Sequence, residues 1–193
     1  VVSVSRMTAL PDPFVAQLRT IPGFLELTEG FTLCPECERC ERSIVYLTPR
    51  EQLNARNAGL RLYGKGGATR VNRVGCSCPF YLGPSEGCEI YPDRPLICNL
   101  FPLDIVEHEE DGRHWWVLFG ACAEVERGRL KGRVEEARTL ATAIDRLMPD
   151  ELRLAFMADA EGAVFEPEFY DHPIYYLLPL TPPGAAQVSG KRD

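Results

Sequence analysis

The stretch Cys76-Ser-Cys78-Pro-Phe-Tyr-Leu-Gly-Pro-Ser-Glu-Gly-Cys88-Glu-Ile-Tyr91-Pro-Asp-Arg94-Pro-Leu-Ile-Cys98 holds four of the eight cysteines of the chain. Upstream lie Cys34, Cys37 and Cys40, and Cys122 follows. Thiolates at short spacing are metal ligands, whereas a packed core does not require clustered cysteines. We therefore expect these segments to converge on a metal centre.

The upstream cysteines have the spacing C-x2-C-x2-C, which lets one tight loop present three sulfurs to a single centre. Bacterial ferredoxin loops hold three corners of a [4Fe-4S] cluster in this way, and a remote cysteine, often followed by proline, binds the last iron. Cys78-Pro79 has that local form. Structural zinc more often uses two separate C-x2-C pairs, and a second pair is absent. The pattern favours an iron–sulfur cluster, with zinc as the alternative.

The number of metal sites is left open by the sequence. Eight thiols suffice for two sites of four cysteines, and one site plus a few buried free cysteines is equally compatible. All eight are metal-ligand candidates, against the alternative that they are ordinary buried thiols or disulfides. That alternative does not account for the spacing.

Arg94 is a candidate for contact with the cofactor. A guanidinium beside thiolate ligands would offset their negative charge and could donate hydrogen bonds to the sulfurs, which would stabilise a reduced cluster. A surface or helix-capping arginine is the competing interpretation for an arginine in a proline-rich turn.

Composition and charge narrow the class of protein. The net charge of -7 and pI near 5.1 argue against non-specific binding to nucleic acid. No apolar run approaches the roughly 18 residues needed to span a bilayer. The N-terminal residues lack a charged region followed by an apolar core, so we expect no secretion signal, a cytoplasmic location, and another protein as partner.

Helix and turn signals predict an α+β fold, loop-rich around the metal, with a short antiparallel sheet flanked by helices. Asp12-Pro13 starts a short helix, and Thr48-Pro49-Arg50-Glu51 is a capping box. Ser43–Leu47 reads as a short strand, and the turn at Asp111-Gly112 predicts a β-hairpin from Asp104 to Phe119. Two helices are expected from Lys131 to Leu147 and from Glu151 to about Ala158.

We divide the chain into four parts on this basis. They are an N-terminal helical segment (1–30), a cysteine-cluster metal-binding domain (31–125), a C-terminal helical cover (126–180) and a flexible tail (181–193).

The combined motif resembles a known family. Its pieces are Cys34-x2-Cys37-x2-Cys40, Cys78-Pro-Phe-Tyr-Leu82, Cys88-Glu-Ile-Tyr91, Arg94-Pro95, and Cys98 with Phe101-Pro102. They are similar to the YkgJ or CxxCxxCC family, described as zinc- or iron-chelating proteins, over about residues 31 to 125. The family pattern ends in a cysteine pair, whereas Glu41 follows Cys40 here. Either Glu41 replaces a thiolate as an oxygen ligand, or Cys76 takes over the position.

The resemblance implies metal binding and leaves the use of the metal open. We favour an iron–sulfur protein that carries electrons or acts as an accessory subunit. One rival is a zinc-stabilised interaction module. Another is an enzyme that modifies protein side chains, because flagellin lysine-N-methylases are similar in this cysteine cluster. No glycine-rich strand–turn–helix for S-adenosylmethionine is visible, and no catalytic residue can be assigned.

Overall fold

The computed structural model describes residues 11–28, 45–65, 69–73, 76–83, 86–119, 133–162 and 173–185. Helices and short antiparallel strands alternate along these ranges, which confirms the predicted α+β class. The helices are α1 (Phe14–Leu18), α2 (Phe24–Thr28), α3 (Pro49–Asn57), α4 (Leu96–Leu100), α5 (Val134–Leu147) and α6 (Asp150–Gly162). The strands are β1 (Tyr81–Gly83), β2 (Gly87–Cys88), β3 (Leu103–Glu107), β4 (His114–Phe119) and β5 (Ile174–Pro179).

The larger sheet has the strand order β3-β4-β5, and both pairs are antiparallel. The predicted hairpin is confirmed: Leu103 pairs with Leu118 and Glu107 with His114, and Gly112 has φ +65° in the turn. That φ is readily adopted by glycine and strained for other residues. β5 was not predicted. It completes the sheet by placing Ile174 opposite Phe119.

One face of this sheet carries the main core. α5 packs against β4 and β5, α6 packs against β3, and α1 packs against α4. Trp116, Leu118 and Leu177 project from the sheet into this core and are 5% exposed or less. Burying aromatic and aliphatic side chains of this size contributes roughly 1.5–3 kcal/mol each, so this cluster dominates the stability of the described fold.

A buried ion pair ties the helices to the sheet. Arg153 of α6 is fully buried and donates from Nη1 to Oδ1 of Asp145 on α5 at 2.8 Å, and a second guanidinium nitrogen bonds the Asp145 carbonyl. Trp116 Nε1 and Thr181 Oγ1 also donate to the Asp145 carboxylate, at 3.0 and 2.5 Å. Two helices, the central strand and the segment after β5 therefore meet at one carboxylate.

A second buried carboxylate joins three helix starts. Glu51 accepts from the backbone N–H of Thr48 in the predicted capping box, which is confirmed. Its other oxygen accepts from the N–H of Asp12, just before α1, at 3.1 Å and from the N–H of Leu96, the first residue of α4, at 2.6 Å. The Asp12 carboxylate caps Phe14 and accepts from the Thr48 hydroxyl. Because the first N–H groups of a helix have no partner within it, one side chain satisfies donors at three helix N-termini.

A smaller core lies beneath the cysteine-rich stretch. Its buried members are Val45, Leu47, Ala55, Val71, Phe80 and Ile90, and Cys78, Cys88, Ile97 and Cys98 pack against it. A strand was predicted at 43–47. Within the described residues, Tyr46 instead forms an isolated β-bridge with Arg70, because the segment opposite it is too short to form a strand. α2, α4 and the β1–β2 pair were not predicted, since each is too short to show a period.

None of the helices that the structure describes is long and apolar enough to cross a bilayer.

Candidate metal centre

The β1–β2 hairpin brings two of the predicted ligands together. Cys78 lies just before β1, and Cys88 ends β2, where it pairs with Tyr81. Gly83 and Gly87, with φ of +118° and +70°, allow the chain to reverse between the strands. Both cysteines are half-buried free thiols, so they are not joined in a disulfide. A hairpin of this kind can present two sulfurs on one side of a loop.

Backbone N–H groups lie near both sulfurs. The N–H groups of Phe80 and Ile90 act to lower the pKa of Cys78 and Cys88, respectively, and the Tyr81 N–H, which donates to the Cys78 carbonyl at 3.1 Å, also acts to lower the pKa of Cys78. The donors follow their cysteine by two or three residues, so the local turn conformation supplies them. Hydrogen bonds of this type stabilise negative charge on sulfur and orient a metal ligand. The backbone around both thiols is therefore suited to thiolate coordination.

Burial of the two thiols disfavours their thiolate forms and so raises their pKa values. It raises the pKa of Cys78 to about 11, and the nearby Cys88 thiol also acts to raise it. Burial likewise raises the pKa of Cys88, although the charge of Arg94 opposes that change. A cation between the sulfurs would reverse this balance, because metal binding deprotonates a coordinating thiol outright. Metal binding at these residues should therefore release protons.

Arg94 is positioned to act on Cys88. Its side chain is 6% exposed, and its guanidinium carbon lies 4.1 Å from the centroid of the Tyr91 ring. Asn99 donates to the backbone carbonyls of Arg94 and Pro95 at 2.7 and 3.1 Å, which fixes the turn into α4. The surface interpretation is wrong because the residue is buried, whereas the helix-capping interpretation agrees with the position of Arg94 at the C-terminal cap of the 3-10 helix Tyr91–Asp93. The charge of Arg94 favours the Cys88 thiolate. A role in contact with a cofactor stays a prediction.

The other two described cysteines have different surroundings. Cys98 lies in α4 and is half-buried against the smaller core, and α4 begins at the N–H bonded to Glu51. Cys76 is exposed, in a turn where its N–H donates to Arg73 and its carbonyl accepts from Asn72. Both are free thiols. The structure gives Cys98 a fixed helical position and leaves Cys76 on the surface.

The full ligand set predicted from sequence is not tested by the structure. Cys34, Cys37, Cys40, Glu41 and Cys122 lie outside the described residues. Among residues that are described, no group of three or more histidine, cysteine, aspartate or glutamate side chains could hold a metal ion. Cys78 and Cys88 are the two candidate ligands that the hairpin brings together, and the whole ligand set stays a prediction.

Sequence reasoning missed the groups that support the two thiols. The backbone N–H groups of Phe80, Tyr81 and Ile90 could not be singled out from the sequence, because their role does not depend on the side chain. Tyr91 was named only as part of the family motif, and its contact with Arg94 was not predicted. The form Cys-Pro-x-x was a usable signal, since a turn after a cysteine directs backbone N–H groups back toward its sulfur. The capping-box motif predicted the bond between Glu51 and Thr48, but nothing in the sequence predicted that the Glu51 carboxylate accepts from the N–H of Leu96.

These features describe an α+β protein in which two candidate metal ligands, Cys78 and Cys88, lie on one hairpin. Residues 33–117 match the model of the CxxCxxCC family, whose description reads "Putative zinc- or iron-chelating domain". This part of the chain is therefore similar to the CxxCxxCC domain. The matched range contains the C-x2-C-x2-C sequence, Cys78 and Cys88, but not Cys122. No curated protein and no solved structure matches the chain.

Proposed function

We propose that the chain binds an iron–sulfur cluster through the cysteines of its CxxCxxCC domain and transfers electrons, either alone or as an accessory subunit of a larger complex. The observation that supports this proposal is the pair of half-buried thiols, Cys78 and Cys88, each with at least one nearby backbone N–H that acts to lower its pKa. Such hydrogen bonds and partial burial are the means by which proteins set the reduction potential of thiolate-bound clusters.

In this proposal the C-x2-C-x2-C loop of Cys34, Cys37 and Cys40 supplies three thiolates, and Cys78 supplies the fourth. Cys88 and Cys98 pack against the same small core and are further ligands, either of that centre or of a second one. Cys76 and Cys122 complete the predicted set. The 31–125 segment is the functional unit, and the remaining helices cover it.

Zinc is the second candidate, because the family description covers zinc as well as iron. Structural zinc is held by four cysteines in many small domains and contributes folding free energy directly. In that case the metal would order the loops of the domain and a surface elsewhere would recruit a partner. A zinc protein would be colourless and would have no reduction potential of its own.

Metal analysis after anaerobic purification separates the two candidates. We expect iron with acid-labile sulfide and broad absorbance near roughly 400 nm, as for thiolate-bound clusters. Replacing Cys78 with Ser should reduce bound metal to less than about half, because a hydroxyl is a poor ligand for soft metal centres. Far-ultraviolet circular dichroism of the variant should keep the wild-type shape, since the main core contains none of the described cysteines. Zinc without sulfide would contradict the iron–sulfur proposal, and an unchanged metal content in Cys78→Ser would remove Cys78 from the ligand set.

Arg94 gives a second test of redox function. Replacing it with Gln removes a buried positive charge beside Cys88 and should make the reduction potential more negative by on the order of 50 mV, about tenfold in a one-electron equilibrium. Arg94→Lys keeps the charge and should shift the potential less. Protein-film voltammetry on both variants measures this. Equal potentials in wild type and Arg94→Gln would show that the arginine is structural.

A further inference from the structure

The second face of the larger sheet ends in three aromatic rings in mutual contact. His108 follows β3, Trp115 belongs to β4 and Tyr176 to β5. Their ring centroids lie 5.0 to 6.1 Å apart, and the Tyr176 ring stands nearly perpendicular to the other two. Because side chains alternate along strands, this face is opposite to the one that carries the main core. We call these three residues the aromatic cluster.

The aromatic cluster is partly exposed. Tyr176 is 40% exposed, and the His108 side chain is 27% exposed. Behind it the same face is buried at Val106, Val117 and Phe119. The cluster therefore forms the solvent-exposed end of an otherwise covered sheet face, with ring faces and edges that a partner can reach.

The rim of the cluster is acidic. Glu107, Glu109, Glu110 and Asp111 are all exposed around the β3–β4 turn. Partial burial raises the pKa of the Tyr176 phenol, and Glu109 and Glu110 act in the same direction, so these carboxylates lie close enough to affect the ring. Arg113 is the one arginine or lysine in residues 107–114; it is 72% exposed and 3.8 Å from Asp111. The segment carries four carboxylates against one arginine and two histidines, His108 and His114, so its formal charge with neutral histidines is negative.

We propose that the aromatic cluster and its acidic rim bind an arginine-containing segment of a partner protein. A guanidinium stacks on aromatic faces and donates to carboxylates in a planar fork, so it matches both parts of this surface at once. An anionic partner is excluded by the rim. An apolar partner would leave the four carboxylates without a counterpart. The inference does not depend on which metal the cysteines bind.

Binding can be tested with a labelled hexapeptide of alternating glycine and arginine, added to the metal-loaded full chain and followed by fluorescence anisotropy. The control peptide carries citrulline in place of arginine, which keeps the shape and removes the charge. We expect the arginine peptide to bind at least about tenfold more tightly, and its affinity to fall as salt is raised. Equal affinity of the two peptides, or no binding at millimolar concentration, would overturn the proposal.

Variants distinguish this surface from general attraction to an acidic protein. Tyr176→Leu removes a ring without changing the charge and should weaken binding about two- to fivefold, the usual effect of an exposed cation–π contact. Glu109→Gln with Glu110→Gln should weaken it severalfold. Glu26→Gln with Glu151→Gln removes the same charge from exposed positions on α2 and α6 and should leave affinity unchanged. Equal losses in the two double variants, or none in Tyr176→Leu, would refute the assigned site. Metal content provides an independent readout that none of these changes should alter.

Discussion

Replacing Arg153 with Met is expected to lower the free energy of unfolding by about 3 to 5 kcal/mol, the usual cost of removing one partner of a buried ion pair. Arg153 is fully buried, and it bonds Asp145 twice and the carbonyl of Thr181 once. Without it the Asp145 carboxylate keeps donors from Trp116 and Thr181 but loses its counter-charge. Thermal unfolding should therefore begin roughly 10 °C or more below wild type for a chain of this size.

Arg146→Met is the matched control. Arg146 is an exposed arginine on α5, one residue from Asp145, and its loss should change stability by no more than about 0.5 kcal/mol. Chemical denaturation of both variants gives the comparison. If Arg153→Met unfolds at the same denaturant concentration as Arg146→Met, the ion pair does not hold the helices to the sheet.

Arg153→Met should also change how the stability of the chain depends on pH in acid. Burial acts to raise the pKa of Asp145, but hydrogen bonds from Thr181, Trp116 and Arg153 outweigh it and lower the pKa below its ordinary value. The stability that this group contributes is present above the unfolded-state pKa of about 3.9 and is lost as the pH falls through the folded-state pKa. The advantage of wild type over Arg153→Met should therefore shrink in acid.

Replacing Glu51 with Ala should cost about 3 kcal/mol or more, because three backbone N–H groups would lose their acceptor in the interior. The donors are those of Asp12, Thr48 and Leu96, at 3.1, 3.0 and 2.6 Å. Glu51→Gln should cost less. Its amide oxygen can keep two of these bonds, while its NH₂ group would face the third donor. Denaturant unfolding measures both variants, and a cost below about 1 kcal/mol for Glu51→Ala would contradict this role.

Glu51 also predicts a pH dependence. Burial outweighs the backbone hydrogen bonds and raises the pKa of Glu51 from 4.5 to about 7. Between those values the folded state binds a proton that the unfolded state releases, so the stability contributed by this group is complete below about pH 4.5 and is lost as the pH rises through about 7. Glu51→Gln does not titrate, so the stability of wild type relative to Glu51→Gln should fall by up to about 1.4 kcal/mol per pH unit in that window. A difference that stays constant from pH 4.5 to 7 would show that the pKa is not raised.

Local signals in the sequence predicted the elements that are long or marked by turns. The capping box at Thr48, the hairpin at Gly112 and the helix up to Leu147 all have a signal within a few residues, and the structure confirms them. β5 could not be predicted in the same way. Its residues Ile174 to Pro179 show no clean alternation, and its partner strand lies more than 50 residues earlier. Pairing across that distance is decided by the tertiary fold.

For the candidate site too, local sequence patterns were predictable and contacts that depend on the fold were not. Cysteine spacing predicted the candidate ligands and the family resemblance, and residues 33–117 match the model of that family. Spacing could not show that the Cys78 and Cys88 thiols lie close together, because that depends on the conformation of the β1–β2 turn. Nor could it show that Arg94 is buried on Tyr91, which depends on how the turn before α4 packs. The three cysteines at 34, 37 and 40 stay a prediction from spacing alone.

Of the three hydrophobic clusters in the described residues, the main core contains no described cysteine, whereas Cys78, Cys88 and Cys98 pack against the smaller core around Phe80 and Ile90. Ile97 touches both, and Glu51 links the start of α4 to the N-terminal helices. If metal binds at these cysteines as proposed, we expect its removal to loosen the smaller core first, while the sheet and the helices packed on it stay folded.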